Sequence, residues 1–452
     1  MHDSVLNTDA FDRRRFVQLL EMSEKMQQLE RKGKETFPSF RPLMGDMWAG
    51  LFKMKPELLT EVDPALEMNR QLMERVMNEN GFHEFREFTR LDDLASALGT
   101  VKYTETVLGW IDEQAKQNQS FRQALQQVMS GEGDAVQQAV KALAKALEQN
   151  GQVLAKSLSR AAKDAIQTKD NLKSLLGGIE AGSGDAELKK VPLRDQLALA
   201  EKLSAEPKLK EIAQWAGRLK LIARQKQRSK HRESIDRSGI TRGNQVEKLL
   251  PSELAAFSSP ITKSDFLRRF AEGQTLQYDT KGKEQLGKGP IILCLDQSGS
   301  MSDQDTIAKG FVLALMSISR KQHRDFALIP FSNEALAPKI YGNGRITIND
   351  MIQLAAQFLD GGTNFEKPLK NAAAVIEQSN FNRADVIFVT DGEADVSDKF
   401  LENWNALKLK KDFRVLSLLL GTAKEFTVSK FSDRVVKAKN LLDDAAHQAF
   451  EI

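Results

Sequence analysis

The chain has 452 residues, of which 41% are hydrophobic and 28% are charged, and its formal net charge is +3. This length is typical of two or three domains, and the apolar fraction is sufficient for buried cores. The nearly neutral charge excludes a protein that binds nucleic acid over its whole surface, so any basic binding surface must be local.

Cysteine usage and the amino terminus indicate the compartment. Cys294 is the one cysteine, which excludes an internal disulfide and favours a reducing compartment. Residues 1–16 are polar and charged and lack the apolar core of a signal peptide. The sequence contains no run of about 18 apolar residues, which is the pattern that predicts a membrane-spanning helix. We therefore expect a cytoplasmic protein, and a peripheral position at the inner membrane remains open.

Residues 1–180 are predicted to form an all-helical region, because Leu, Ala, Gln, Glu and Lys dominate and β-branched runs are few. Four apolar residues recur at spacings of three and four, on one helix face: Val136, Val140, Leu143 and Leu147. Asp134 is the predicted N-cap of this helix, and Asn150 with Gly151 is its predicted end.

Residues 181–285 are predicted to be a helical and basic connecting region. Glycines between 177 and 184 mark its start, and two helices are predicted from Pro192 to Lys226. Nine cations and two anions lie between Arg218 and Arg242. This stretch is either a solvated helix end and linker, or a docking strip for an acidic partner, nucleic acid or anionic lipid. It contains no aromatic residue, which weakens the case for stacking of single-stranded bases.

Residues 286–452 alternate between predicted strands and helices. The strands are predicted at 290–295, 325–331, 385–390, 414–420 and 435–438. The helices are predicted at 303–320, 349–359, 366–378, 397–410 and 441–450. Strands separated by helices indicate a doubly wound, mostly parallel α/β sheet of the Rossmann-like kind, covered on both faces.

Oxygen-bearing side chains follow two of these strands and one loop between them. They are Asp296, Ser298, Ser300, Thr363 and Asp391. In a doubly wound sheet, ligands bind beyond the carboxyl ends of the strands, so we expect these side chains to meet there. Carboxylates and hydroxyls are hard donors that suit Mg²⁺, with Mn²⁺ and Ca²⁺ as alternatives. A Zn²⁺ site would favour His or Cys, and neither residue is present in these segments.

The spacing of the first three residues has a geometric reason. Ser298 and Ser300 lie two apart in an extended turn, so both hydroxyls can face one ion. Gly299 between them permits a tight turn without a Cβ clash. Asp296 supplies negative charge beneath the ion. Thr363 comes from a separate loop, so we expect its distance from the ion to change when that loop moves.

The pattern D-x-S-x-S, a distant Thr and an Asp at a strand end resembles the metal-ion-dependent adhesion site (MIDAS) of von Willebrand factor A domains. All five positions match, and their order on the strand ends makes the resemblance specific. The resemblance implies that the ion leaves one coordination position open for a carboxylate of a partner. Such a site binds and does not catalyse.

A second resemblance extends from about Trp215 to the carboxyl terminus. Residues 243–254 (GNQVEKLLPSEL), 266–269 (FLRR) and 287–291 (GKGPI) resemble the ViaA and CoxE-like group of bacterial proteins. In that group a helical region precedes an A domain, and members partner with MoxR-class AAA+ ATPases. The resemblance implies a non-enzymatic adaptor or co-chaperone that binds and stimulates such an ATPase, on behalf of an unidentified client.

Two alternatives are less favoured. The Ro autoantigen also joins a helical region to an A domain, so RNA binding through the basic stretch is one of them. A metal-dependent hydrolase is the other, with Asp391 as its one candidate base. The G-x-x-x-x-G-K pattern at 282–288 does not indicate a phosphate-binding loop, because Gly289 replaces the required Ser or Thr and a strand follows it.

Overall fold

The computed structural model describes residues 4–36, 38–130, 135–233, 235–282, 289–378, 383–421 and 425–451. The chain forms two compact units. The first is Met1–Gly177 with Ala181–Gln214, and the second is Gly178–Glu180 with Trp215–Ile452. The three predicted domains, with boundaries near 180 and 285, stay a prediction. Among the described residues, none of the helices has the length and apolar character needed to cross a bilayer.

The first unit is all helical, as predicted. Its helices are α1 (Ala10–Met22), α2 (Glu24–Thr36), α3 (Phe40–Phe52), α4 (Glu67–Met77), α5 (Asn80–Thr89), α6 (Asp93–Gln117), α7 (Gln119–Ser130), α8 (Ala135–Leu176), α9 (Ser183–Lys190) and α10 (Leu193–Ala205). Helix α11 (Pro207–Glu233) begins in this unit and continues into the second. The two helices predicted between Pro192 and Lys226 are therefore confirmed as α10 and α11.

Helix α8 corrects one sequence prediction. The helix was expected to end at Asn150 and Gly151, yet it is 42 residues long and ends at Leu176. Gly151 is buried and lies against the side chain of Arg75, and the buried apolar stripe continues through Leu154 and Leu158. Packing of this stripe outweighs the roughly 1 kcal/mol that a glycine costs within a helix. The predicted N-cap, Asp134, lies outside the described residues.

The second unit contains a two-stranded sheet that the sequence did not reveal. Strands β1 (Ile235–Gly243) and β2 (Thr275–Gly282) pair antiparallel, with α12 (Pro251–Ser258) and α13 (Lys263–Ala271) between them in the chain. We call residues 235–282 the arm. The prediction that residues 181–285 form a helical region is wrong here, because β1 mixes glycine with charged residues and its partner lies far along the chain.

The remainder of the second unit is the predicted α/β sheet. Its strands are β3 (Ile291–Asp296), β4 (Phe326–Phe331), β5 (Lys339–Tyr341), β6 (Asp385–Thr390), β7 (Arg414–Leu420) and β8 (Arg434–Ala438). They lie in the order β5-β4-β3-β6-β7-β8, and every pair is parallel except the antiparallel pair of β4 and β5. The doubly wound fold is confirmed; the three-residue edge strand β5 was too short to predict.

Helices cover the sheet between its strands. They are α14 (Asp305–Lys321), α15 (Ile348–Ala356), α16 (Glu366–Glu377), α17 (Asp398–Lys411) and the short α18 (Phe426–Ser429). The prediction of a last α-helix at 441–450 is wrong, because turns there precede a 3₁₀ helix at Ala446–Glu451. The Asp443 carboxylate accepts hydrogen bonds from the backbone of Lys439 and Ala445. Such local bonds compete with an α-helix.

The sheet changes its winding direction beside β3. The chain passes from β3 to β4 on one side, and then crosses to β6 on the other side of β3. All six residues of β3 are buried, as expected of a central parallel strand. The crevice at the carboxyl ends of β3 and β6 is therefore the topological switch point, where such folds bind ligands.

Candidate metal centre

Two carboxylates emerge at this crevice. Strands β3 and β6 are parallel neighbours, with Leu295 paired to Val389. Asp296 ends β3, and Asp391 directly follows β6. The register therefore delivers both aspartates to the same edge of the sheet, as the sequence predicted.

Asp296 is 1% exposed and is held at both carboxylate oxygens. Oδ1 accepts the backbone N–H of Ser298 at 2.9 Å, and Oδ2 accepts the hydroxyl of Thr390 at 2.5 Å. Burial raises the pKa of Asp296, whereas the bonds from Thr390 and Ser298 lower it and the charge of Asp391 raises it further. A cation at this edge would compensate the buried charge.

Hydroxyls connect the two carboxylates. The Oγ atoms of Ser298 and Ser300 are 3.2 Å apart. The Ser300 hydroxyl donates to Asp391 Oδ1 at 2.8 Å. Ser298 is buried and Asp391 is half-buried, so the group runs from the interior to the surface of the domain. Hydrogen bonds therefore connect four of the five predicted site residues, namely Asp296, Ser298, Ser300 and Asp391.

Thr363 reaches the same place from the loop before α16. A Cβ added to Gly392 would lie 2.9 Å from Thr363 Oγ1, so the threonine hydroxyl lies directly against the turn that carries Asp391. Two backbone bonds tie this loop to the first turn: Gly299 N–H donates to Gly361 O at 2.9 Å, and Asp360 N–H donates to Gln297 O at 3.0 Å. The position of Thr363 is thus linked to the Asp296–Ser300 turn.

Two residues at the site were not assigned from the sequence. Thr390 is fully buried, and its hydroxyl binds Asp296 and accepts Gly392 N–H at 3.0 Å. Asp360 has a φ of 58°, and a Cβ on Gly299 would come within 2.8 Å of its Oδ1. The available sequence clues were a hydroxyl just before Asp391 and a carboxylate just before the Gly361–Gly362 pair.

The donor set fits a hard cation. The converging atoms belong to two carboxylates and to the hydroxyls of serine and threonine. The described part of the chain contains no cluster of three or more His, Cys, Asp or Glu side chains that could hold a metal. A soft-ligand site is therefore not formed by these residues, and the oxygen donors suit Mg²⁺, Mn²⁺ or Ca²⁺.

Several residues near the site are not among its proposed ligands. Cys294 is fully buried within β3, and burial raises the pKa of its thiol. Glu393, Asp395 and Asp398 are exposed beside the site. Helix α17 begins at Asp398 with Ser397 at the N-cap position, although the Ser397 side chain makes no capping bond.

The basic stretch is partly absorbed into the packing of the second unit. Lys220 is 5% exposed, and burial together with the nearby charge of Arg320 lowers the pKa of Lys220 to about 7. Lys226 pairs with Asp444 at 3.0 Å, and Arg218 lies over the Trp215 ring at 4.9 Å. The Arg218–Lys226 segment therefore does not present a continuous cationic surface. Side chains 228–238 lie outside the described residues.

Residues 291–393 match the family described as von Willebrand factor type A domain. Two relatives from Methanocaldococcus jannaschii are uncharacterized proteins. MJ0811 is 27% identical over 456 residues, covering 99% of each chain. MJ0077 is 32% identical over 297 residues, covering 64% of this chain and 75% of MJ0077. The regulatory protein ViaA of Edwardsiella ictaluri is 28% identical over 171 residues, covering 34% of this chain and 35% of ViaA.

Solved structures are similar over 36% of the chain. A von Willebrand factor type A structure from Catenulispora acidiphila is 14% identical, with a TM-score of 0.30, and covers 36% of this chain and 42% of its own. Proximal thread matrix protein 1 of the mussel byssus, with a zinc-occupied MIDAS motif, is 14% identical, with a TM-score of 0.26, and covers 36% and 45%. The identity to MJ0077 and the match at 291–393 show that the chain belongs to the family of von Willebrand factor type A domain proteins.

Proposed function

We propose that the chain is a non-enzymatic regulatory adaptor that binds and stimulates a MoxR-class AAA+ ATPase through a Mg²⁺-dependent, carboxylate-binding site. The observation that carries the proposal is the convergence of Asp296, Ser298, Ser300 and Asp391 at one sheet edge, with Thr363 against them. The similarity to ViaA, which is named a regulatory protein, supports a regulatory role. That similarity spans about a third of each chain, so the ATPase partner is part of the proposal.

The residues of the candidate metal centre have three different roles in the proposed function. Asp296, Ser298, Ser300, Thr363 and Asp391 would hold the ion, whose positive charge would attract a Glu or Asp of the partner. Thr390 and the Ser298 backbone orient the Asp296 carboxylate. The bonds from Gly299 to Gly361 and from Asp360 to Gln297 keep the loop of Thr363 in register with the first turn.

The alternatives have less support. A hydrolase would need Asp391 as its base, and the Asp391 carboxylate is engaged by the Ser300 hydroxyl. RNA binding would need the basic stretch to be free. Lys220 is buried and Lys226 is paired with Asp444, so that stretch offers fewer cations than its sequence implied.

The test combines the chain with the cognate ATPase and measures both complex formation and ATP hydrolysis. We expect Mg²⁺-dependent binding and stimulation, which EDTA and Asp296→Ala both remove. Asp303→Ala is the matched control, because Asp303 is an exposed carboxylate in the same segment and is not among the proposed ligands.

Each component of the proposal can fail separately. Stimulation that persists in EDTA and in Asp296→Ala would remove the metal from the function. Absence of any complex with the wild-type chain would show that the ATPase is the wrong partner. Equal loss in Asp303→Ala would indicate a general effect of surface charge.

A further inference from the structure

Exposed apolar side chains are concentrated in the arm. Of the eighteen large apolar side chains that are exposed among the described residues, seven lie there: Ile240, Val246, Leu254, Phe257, Ile261, Leu267 and Leu276. Ile261 is 91% exposed, more than any other large apolar side chain in the described ranges. A large exposed apolar patch is typical of an interaction site, whereas scattered single apolar residues are normal on a protein surface.

The strand part of this surface has a defined face. Ile240 pairs with Tyr278, and Arg242 pairs with Leu276. Because alternate residues of a strand point to the same side, Ile240 and Leu276 lie on one face of the ribbon. The backbone N–H of Leu276 donates to the Glu253 carboxylate on α12 at 3.1 Å. This bond ties α12, which carries the exposed Leu254, to the ribbon.

The helical part is held by its own contacts. The Phe257 ring packs on Phe266 of α13 at 5.3 Å between centroids. The Thr262 hydroxyl donates to Ala256 O at 2.8 Å and closes the turn that carries Ile261. The exposed apolar residues therefore project from a preformed hairpin of helices, which lowers the entropy cost of binding a partner.

The charges of the arm fall into two classes. Arg269 pairs with Glu253 and Asp265, and Arg268 pairs with Asp265 and Glu272. These two arginines and three carboxylates are therefore paired with one another within the arm. The surface charge available to a partner must therefore come from other residues.

Three cations remain available. Arg242 and Lys263 are exposed and Lys248 is half-buried, and none of them has an ion pair among the residues that the structure describes. Lys263 lies 5.2 Å from the centroid of the Phe257 ring, at the border of the apolar surface. Glu247 is the one carboxylate in residues 239–278 without such a pair. An apolar surface bordered by free cations complements apolar residues flanked by carboxylates.

We propose that the arm docks an amphipathic protein segment whose apolar side chains are flanked by Asp or Glu. This surface lies outside the metal site and goes beyond the function proposed above. A protein segment is favoured over an anionic membrane, because the cations without an ion pair among the described residues number three and the unpaired carboxylate Glu247 lies next to one of them, Lys248. Recognition of anionic lipid usually needs a cluster of roughly four to eight cations.

The experiment uses two fluorescent peptides of about 18 residues, each a designed helix with the same leucine face. One peptide carries Glu on its polar face and the other carries Lys. Anisotropy is measured with the full chain in EDTA, so that the metal site cannot contribute. We expect the Glu peptide to bind roughly tenfold more tightly than the Lys peptide.

Variants locate the binding surface. The double change Ile261→Ser and Leu267→Ser should weaken binding of the Glu peptide by roughly tenfold, as for central residues of an interface. Leu409→Ser is the control, because Leu409 is 88% exposed on α17, outside the arm. Lys263→Glu should reduce the preference for the Glu peptide. Thermal melting of each variant checks that the fold is retained.

Several results would overturn the proposal. They are equal affinity for the two peptides, no binding of either one, or an equal loss in Leu409→Ser. Sedimentation with phosphatidylserine vesicles is a further measurement in this test. Vesicle binding that depends on Ile261 and Leu267, without peptide binding, would assign the surface to a membrane. Because EDTA is present throughout, the outcome is independent of the Asp296→Ala experiment.

Discussion

Asp46 on α3 and Asp296 at the end of β3 have similar immediate surroundings in the two units. Each is 1% exposed. Asp46 accepts the Ser4 hydroxyl at 2.5 Å and the Val5 N–H at 3.3 Å. Asp296 accepts the Thr390 hydroxyl at 2.5 Å and the Ser298 N–H at 2.9 Å. A hydroxyl and a backbone amide thus hold each buried carboxylate.

The difference lies in what else reaches the two carboxylates. The partners described for Asp46 come from one short segment, Ser4 to Leu6, so this side chain fixes that segment to α3. Around Asp296, by contrast, a second carboxylate and hydroxyls arrive from separate loops, among them Ser300 and Asp391. Burial of an aspartate alone therefore does not distinguish the two places, whereas the convergence of oxygen donors from several loops is found around Asp296.

The largest expected effect concerns pH and Asp46. Burial raises the pKa of Asp46 from 3.8 to about 7, against the opposing bonds from Ser4 and Val5. The folded state therefore binds this proton more tightly than the unfolded state. The resulting stabilisation is complete below about pH 4 and is lost as the pH rises through 7. Its size is on the order of 4 kcal/mol at most.

This expectation is measured as the difference in unfolding free energy between wild type and Asp46→Asn. Asparagine does not titrate, so the unfolding free energy of wild type should fall relative to that of Asp46→Asn as the pH rises from 4 to 7. Urea denaturation at several pH values provides the measurement. A difference that stays constant with pH would mean that Asp46 titrates near its ordinary value in the folded chain.

The next effect distinguishes the two aspartates by Mg²⁺. At a concentration of about 100 times its Kd, the ion should stabilise the wild-type chain by about 2.7 kcal/mol. Asp296→Ala should abolish this gain, and Asp46→Ala should retain it. Calorimetric titration and thermal melting give the affinity and the gain in stability. Loss of the Mg²⁺ response in both variants would contradict the distinction drawn between the two aspartates.

The smallest effect tests the loop contact at the metal site. Gly299→Ala would bring a Cβ within 2.8 Å of Asp360 Oδ1 without removing any proposed ligand. We expect a roughly tenfold loss of Mg²⁺ affinity, the size typical of residues that orient ligands. Gly109→Ala is the control, because a Cβ there meets no atom within 4 Å. Unchanged affinity in Gly299→Ala would show that the loop can shift without cost.

Much of the candidate metal centre could be predicted because its determinants are local. A buried apolar run followed by a carboxylate identifies the end of β3, and the same pattern identifies the end of β6. Parallel pairing then brings Asp296 and Asp391 together without further information. The contribution of Asp360 was not predictable in this way, since it depends on the close approach of two loops.

Other features depended on contacts that sequence periodicity does not contain. The pairing of β1 with β2 joins segments separated by two helices. The continuation of α8 past Gly151 depends on tertiary packing against Arg75. The attachment of Ser4 to Asp46 likewise joins distant positions. Each of these features depends on a partner far along the chain, which local propensity cannot specify.

The burial of Cys294 has a practical consequence. It is the one cysteine in the chain, and it lies two residues before Asp296 within the central strand. The thiolate is the nucleophile that attacks a thiol reagent, so this side chain reacts when β3 opens and the sulfur meets solvent. The native chain thus contains its own reporter of strand opening beside the candidate metal centre. Because this cysteine is buried, no native thiol competes for a reagent at the protein surface. A cysteine introduced in the arm would therefore carry a probe at one known position.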